Sequence, residues 1–195
     1  MKDMQLLHKG KVYQGQVCYE GSDLMEVSFD ESSAFESGES VICFNFQERI
    51  QMRVLQVSKT KLILVPADSE IFKIEAQPGK HYDMYRDEDK TFASFKLNMF
   101  GTLNDDFKIF PVRYCSVSRL GFGFEVNDFT VKMNHVYDSM IICEEETIHP
   151  RLVVRYAHIR EHTIRYGAEI HSISSSDLNK LRYYLVAQQF LENSV

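Results

Sequence analysis

Apolar residues recur at every second position through most of this chain. Residues 11–19, 40–46, 50–57 and 61–65 carry alternating or β-branched apolar side chains, and polar turns such as Glu20-Gly21-Ser22-Asp23 and Glu36-Ser37-Gly38-Glu39 separate them. A period of two sends successive side chains to opposite faces, so each segment predicts a strand with one buried face. A second series follows at 92–103, 107–117, 121–126, 139–143, 152–157 and 163–172. Short strands at this spacing, with no helical pattern between them, predict antiparallel barrels rather than a parallel α/β sheet.

The period changes only near the end. Ser174 and Asp177 form a capping-box pattern, and Leu178, Leu181, Leu185 and Gln188 then follow a helical face beside Tyr184 and Leu191. This predicts one helix over 174–191, closing an end of the second barrel. Between the two series, residues 76–90 (AQPGKHYDMYRDEDK) hold Pro78, Gly79 and mixed charges without apolar periodicity, the composition of a linker. The expected organisation is therefore all-β with a C-terminal helix: a smaller β-barrel or split-barrel domain over 1–85, then a six-stranded antiparallel barrel with its helix over 86–195.

Composition narrows the function more than the fold. With 195 residues, 44% hydrophobic, the chain can bury a real core. Its formal charge of −6 argues against coating a nucleic-acid polymer, which basic patches drive by displacing counterions. The segment MKDMQLLHKGKVYQGQ lacks the apolar run of a signal peptide, and no window reaches the roughly 18–20 apolar residues of a spanning helix. The expectation is a cytoplasmic protein with no membrane insertion. Cys18, Cys43, Cys115 and Cys143 are widely spaced and none forms a CxxC pair, which fits reduced thiols.

The order of pieces in the second series resembles the PilZ domain. In RYCSVSRLGFGFEV, the run from Ser116 through Ser118 to Gly121 matches that family's [D/N]xSxxG motif, with Ser116 where Asp or Asn is expected. Further on, IRYGAEIHSISSSDLNKLRYYLVAQQFL resembles the closing strand and helix, with Gly167 at the family's glycine position. The resemblance covers residues 86–191. Aligning KTFASFKLNMF with the entry to the first strand puts Lys90 and Ser94 at the two arginine positions of RxxxR; a second register uses Arg86 and Lys90, with three acidic residues between them.

What the resemblance implies is a receptor-type module for cyclic di-GMP, with Lys90, Ser94, Ser116, Ser118 and Gly121 at the ligand-binding motif positions. The family's arginines supply planar forks that bind phosphate bidentately and stack on bases. Lysine keeps the charge without the fork, and serine supplies neither. Losing two charge-assisted contacts worth roughly 1.5–3 kcal/mol each weakens binding on the order of 10²- to 10⁴-fold. The same SxSxxG run also reads as a simple turn between barrel strands, with Gly121 allowing close backbone approach. Residues 1–85 match only in placement the amino-terminal domain of flagellar-brake-like proteins, whose interdomain linker binds the nucleotide and changes the domains' orientation.

Catalytic and metal chemistry find little support. His158 and His162 stand four apart, but RYAHIREHTIRY has strand character and supplies no third ligand at suitable spacing. There is no GxSxG elbow, P-loop or GxGxxG, and Glu144-Glu145-Glu146 reads as a solvated charge run. The expectations are no catalytic residues, no metal and no cofactor, with cyclic di-GMP as a ligand. Two functions stay open: a regulator acting on a protein partner, by family analogy in motility, secretion or surface-behaviour machinery, or a working cyclic di-GMP receptor.

Overall fold

The computed structural model describes residues 2–21, 23–29, 34–44, 49–76, 94–159 and 163–192, with side chains as far as Gln188. Packing divides the chain into a first unit of residues 1–72 together with 182–195, and a second of 73–181. The expected domain boundary at 85/86, Arg86 and Lys90 lie outside the described residues.

The first unit is a closed antiparallel barrel. Its strands are β1 (Lys2–His8), β2 (Lys11–Glu20), β3 (Met25–Ser28), β4 (Ser40–Phe44), β5 (Arg49–Val57) and β6 (Lys61–Pro66), in the order β1-β2-β3-β6-β5-β4. Pairing of β1 with β4, Leu6 opposite Cys43, completes the ring. Strand β1 was not legible as a strand in the sequence, because KDMQLLH alternates only weakly; the barrel buries Met4, Leu6 and His8. Its hairpin to β2 is a two-residue turn in which Lys9 and Gly10 both have positive φ, the geometry that matches strand twist. Leu6, Val27, Val54, Leu62 and Leu64 are fully buried in its core.

A short 3-10 turn, Glu70–Lys73, follows β6 and carries buried Ile71 and Phe72. The guanidiniums of Arg53 and Arg182 each lie 5.0 Å from the Phe72 ring centre, and Arg182 also donates to the carbonyls of Ile71 and Phe72. A buried arginine is tolerated here because its donors meet backbone acceptors.

The second unit contains β7 (Ser94–Asn104), β8 (Ile109–Ser118), β9 (Gly121–Val126), β10 (Val136–Cys143), β11 (Glu146–Ile148), β12 (Arg151–Ile159) and β13 (Ile164–Ser172). The sheet runs β11-β10-β12-β13-β9-β8-β7, and β10 also pairs with β7. Six strands thus return on themselves as an antiparallel barrel, with β11 attached to β10. Closure depends on Gly101: a Cβ there would stand 2.0 Å from the carbonyl oxygen of Met140 on β10. Tyr114, Phe122 and Phe124 pack edge-on or tilted in the core, and the buried Tyr114 hydroxyl bonds Ser139. Glu146 belongs to β11 and its carboxylate meets Lys180 at 2.7 Å, so only the first part of the glutamate run is a loop.

Helix α1 spans Ser175–Glu192. Ser174 caps it as expected, its Oγ accepting the Asp177 N–H at 3.0 Å. The other half of the capping box is diverted, since Asp177 Oδ2 accepts from the backbone N–H of His149. Packing assigns the helix residues to Leu181 to the second unit and those from Arg182 to the first.

Candidate functional site

Antiparallel register decides which motif residues meet. Ser94 on β7 stands opposite Ser118 on β8, and Ser118 opposite Gly121 on β9. One row further, Lys96, Ser116, Gly123, Gly167 and Tyr156 are successive cross-strand partners through β7, β8, β9, β13 and β12. A third row joins Phe100, Arg113, Glu125, Arg165 and His158 in the same way. Side chains of directly opposed residues share a face. Phe122 and Phe124 point into the core, and the buried Gly121 and Gly123 alternate with them in register with Ser118 and Ser116. Four of the five sequence-derived positions therefore gather on one outer face of the second barrel; the fifth, Lys90, lies outside the described residues.

The turn Ser118-Arg119-Leu120-Gly121 explains part of the motif by itself. Ser118 Oγ accepts the Leu120 N–H at 3.1 Å, tying down the hairpin loop. Gly121 has φ 136°, and a Cβ there would sit 2.0 Å from the carbonyl oxygen of Ala168. Both the conformation and the approach of β13 demand glycine. Those two positions serve the turn whether or not a ligand is present.

Ser116 is different, because its hydroxyl serves no turn. It lies beside Gly123, where an added Cβ would come 2.5 Å from Oγ, and it accepts from Arg165 Nη2 at 3.4 Å. A Cβ on Gly123 would also lie 3.6 Å from that Nη2, so the guanidinium reaches across the glycine toward the serine. The next glycine in the row, Gly167, is covered by the Tyr156 ring. Sequence reasoning passed over Arg165 and Lys96. Neither belongs to a local motif, and only pairing of β13 with β9 and of β7 with β8 brings them beside Ser116. The signal available was the arginine two positions before Gly167.

The rows carry the cations Lys96 and Arg165 and the hydroxyls of Ser116 and Ser118, with Glu125 in the third row. No ion pair joins Glu125 to Arg113 or Arg165 among the described residues. Next to that row runs an open groove of about 490 Å³, lined in part by Phe100, Ile109, Pro111, Arg113, Glu125 and Asp128. Phe100 and Ile109 are about 60% exposed (59% and 62%), a large apolar outlay for a surface. At its rim, Lys108 beside Asp128 holds that carboxyl down at about 2, helped by Thr130.

Cys115 is half-buried, and burial together with Glu125 pushes its thiol up, away from nucleophilic use. Among the described residues no three His, Cys, Asp or Glu side chains converge as metal ligands. His158 sits on a strand, and His162 lies outside the described residues. None of the described helices is long and apolar enough to cross a membrane.

No family model and no curated protein matches this chain. Solved structures similar to it include the Bacillus subtilis inhibitor of motility MotI/DgrA, at 10% identity and TM-score 0.45 over 96% of this chain and 95% of that one. Others are YcgR from Escherichia coli in complex with c-di-GMP (9%, 0.45, 98% and 85%) and the K. pneumonia MrkH complex with c-di-GMP (8%, 0.45, 98% and 88%). Likeness at this level assigns no residue of this chain a role.

Proposed function

We propose that this chain is a non-catalytic regulatory protein of the bacterial cyclic di-GMP signalling type, acting in the cytoplasm through a protein partner, with its nucleotide face reduced to a weak hold. Residues 86–195 carry that face. The observation behind the reading is the outer face itself: it keeps the serine and glycine frame that the PilZ resemblance implies, yet the second clamp position is Ser94, exposed and uncharged. The exposed apolar residues Phe100 and Ile109 beside that face support contact with a partner protein.

Titration calorimetry with cyclic di-GMP tests this. The wild-type chain binds weakly, and Lys90→Arg with Ser94→Arg raises affinity by an order of magnitude or more, since each charge-assisted contact is worth roughly 1.5–3 kcal/mol. Tight wild-type binding that Lys90→Ala and Ser118→Ala abolish replaces this reading with that of a full receptor. The placement of Arg165 beside Ser116 favours that second reading.

A further inference from the structure

We infer that Arg165, supplied from β13, is the phosphate-anchoring residue of the serine face, a guanidinium reaching by tertiary contact the place that the local motif leaves without one. This rests on the reading that the face takes a cyclic dinucleotide.

Three features of the geometry carry it. First, the guanidinium lies across Gly123 with Nη2 3.4 Å from Ser116 Oγ, a contact at the long limit for a hydrogen bond. Arginine has five N–H donors in a rigid fork. Ser116 is the hydrogen-bond partner found for it among the described residues. Second, a side chain at 123 would stand between the Ser116 hydroxyl and the guanidinium, 2.5 Å from Oγ and 3.6 Å from Nη2, so Gly123 is what lets the two groups meet. Third, Lys96 on β7 is the direct cross-strand partner of Ser116, on the side away from Gly123, and is exposed. Cations from β7 and β13 on either side of one half-buried hydroxyl suit a phosphodiester oxygen.

The charges facing Arg165 set its limits. Glu125 is its register partner on β9 and Arg113 stands beyond Glu125, while His158 is its partner on β12. Among the described residues, Glu125 forms no ion pair with Arg165.

The test is equilibrium dialysis of labelled cyclic di-GMP against the full chain at low ionic strength, in the wild type and in the Ser94→Arg variant, which supplies a stronger baseline. Arg165→Gln lowers affinity about 10- to 100-fold in both backgrounds. Arg165→Lys recovers part of the loss, because lysine keeps the charge without the fork. Ser116→Asp also weakens binding, since the new carboxylate engages the guanidinium; the motif resemblance taken alone expects the opposite. Arg151→Gln, an exposed β12 arginine paired with Asp138, leaves affinity unchanged. Thermal midpoints without ligand stay level for Arg165→Lys, separating lost anchoring from lost folding. Binding that survives Arg165→Gln overturns the inference and leaves the nucleotide reading intact. Absence of binding in the wild type and in Ser94→Arg overturns both.

Discussion

Gly121→Ala tests whether the motif glycine is a ligand residue or a structural one. The alanine would have to adopt φ 136°, which L residues avoid at a cost of about 1–3 kcal/mol. Its Cβ would meet the carbonyl oxygen of Ala168 at 2.0 Å, the Ala168 carbonyl carbon at 2.9 Å and Glu169 Cα at 2.9 Å. All three are backbone atoms, so no rotamer change relieves the clash and β9 must part from β13. A mutation combining strain with lost ladder bonds belongs among the severe ones, about 3–5 kcal/mol. Restriction of the unfolded chain returns only about 0.4–1 kcal/mol. Gly10→Ala is the internal standard, because Gly10 has φ 76° with nothing within 4 Å of an added Cβ, and its cost is left-handed strain alone, about 1–2 kcal/mol. Urea unfolding followed by circular dichroism gives both stabilities. Hydrogen exchange then assigns the loss to β9 and β13 in Gly121→Ala and to the β1–β2 hairpin in Gly10→Ala. If the two variants are destabilised equally, the close approach of β13 is refuted. A confirmed difference carries a warning: nucleotide binding lost in Gly121→Ala would report an opened barrel, not a missing contact.

Other expectations follow from buried groups. Tyr114→Phe strands the buried Ser139 hydroxyl and destabilises by about 1–3 kcal/mol in chemical denaturation. Burial holds the Tyr114 phenol well above its ordinary value of 10.0, so folding favours the neutral form; its contribution is intact below pH 10 and falls as pH rises further, and an absorbance titration of phenolate shows its ionisation only with unfolding. Thiol labelling with mass spectrometry modifies exposed Cys18 first and Cys115 slowly, while Cys43, pushed up to about 12, and Cys143, pushed up to about 11, react only on unfolding. Glu169→Ala deprives Arg155 of a carboxylate 2.9 Å away inside the barrel wall and costs about 3–5 kcal/mol in urea unfolding, whereas replacing both residues with Met and Leu recovers most of it.

The elements whose signal is local are legible in the chain alone. Strands β2, β4 to β10, β12 and β13 carry alternating or β-branched apolar runs, and helix α1 has a capping serine, so each announces itself within a dozen residues. Strands β1, β3 and β11 are short or weakly alternating, and only their neighbours' hydrogen bonds make them strands. The motif run from Ser116 to Gly121 was legible because turn chemistry is also local: Ser118 ties the loop and Gly121 takes the conformation that other residues avoid. Cross-strand register is not local. It alone set Ser94 opposite Ser118, carried Lys96 and Arg165 to either side of Ser116, and laid Tyr156 over Gly167. Arg165 lies 49 residues from Ser116 in the chain, and no sequence period links them. Closure of the barrel joins them, because pairing with β9 fixes where each side chain of β13 emerges. The face was readable as a motif, but its charge became visible only once the strands were paired.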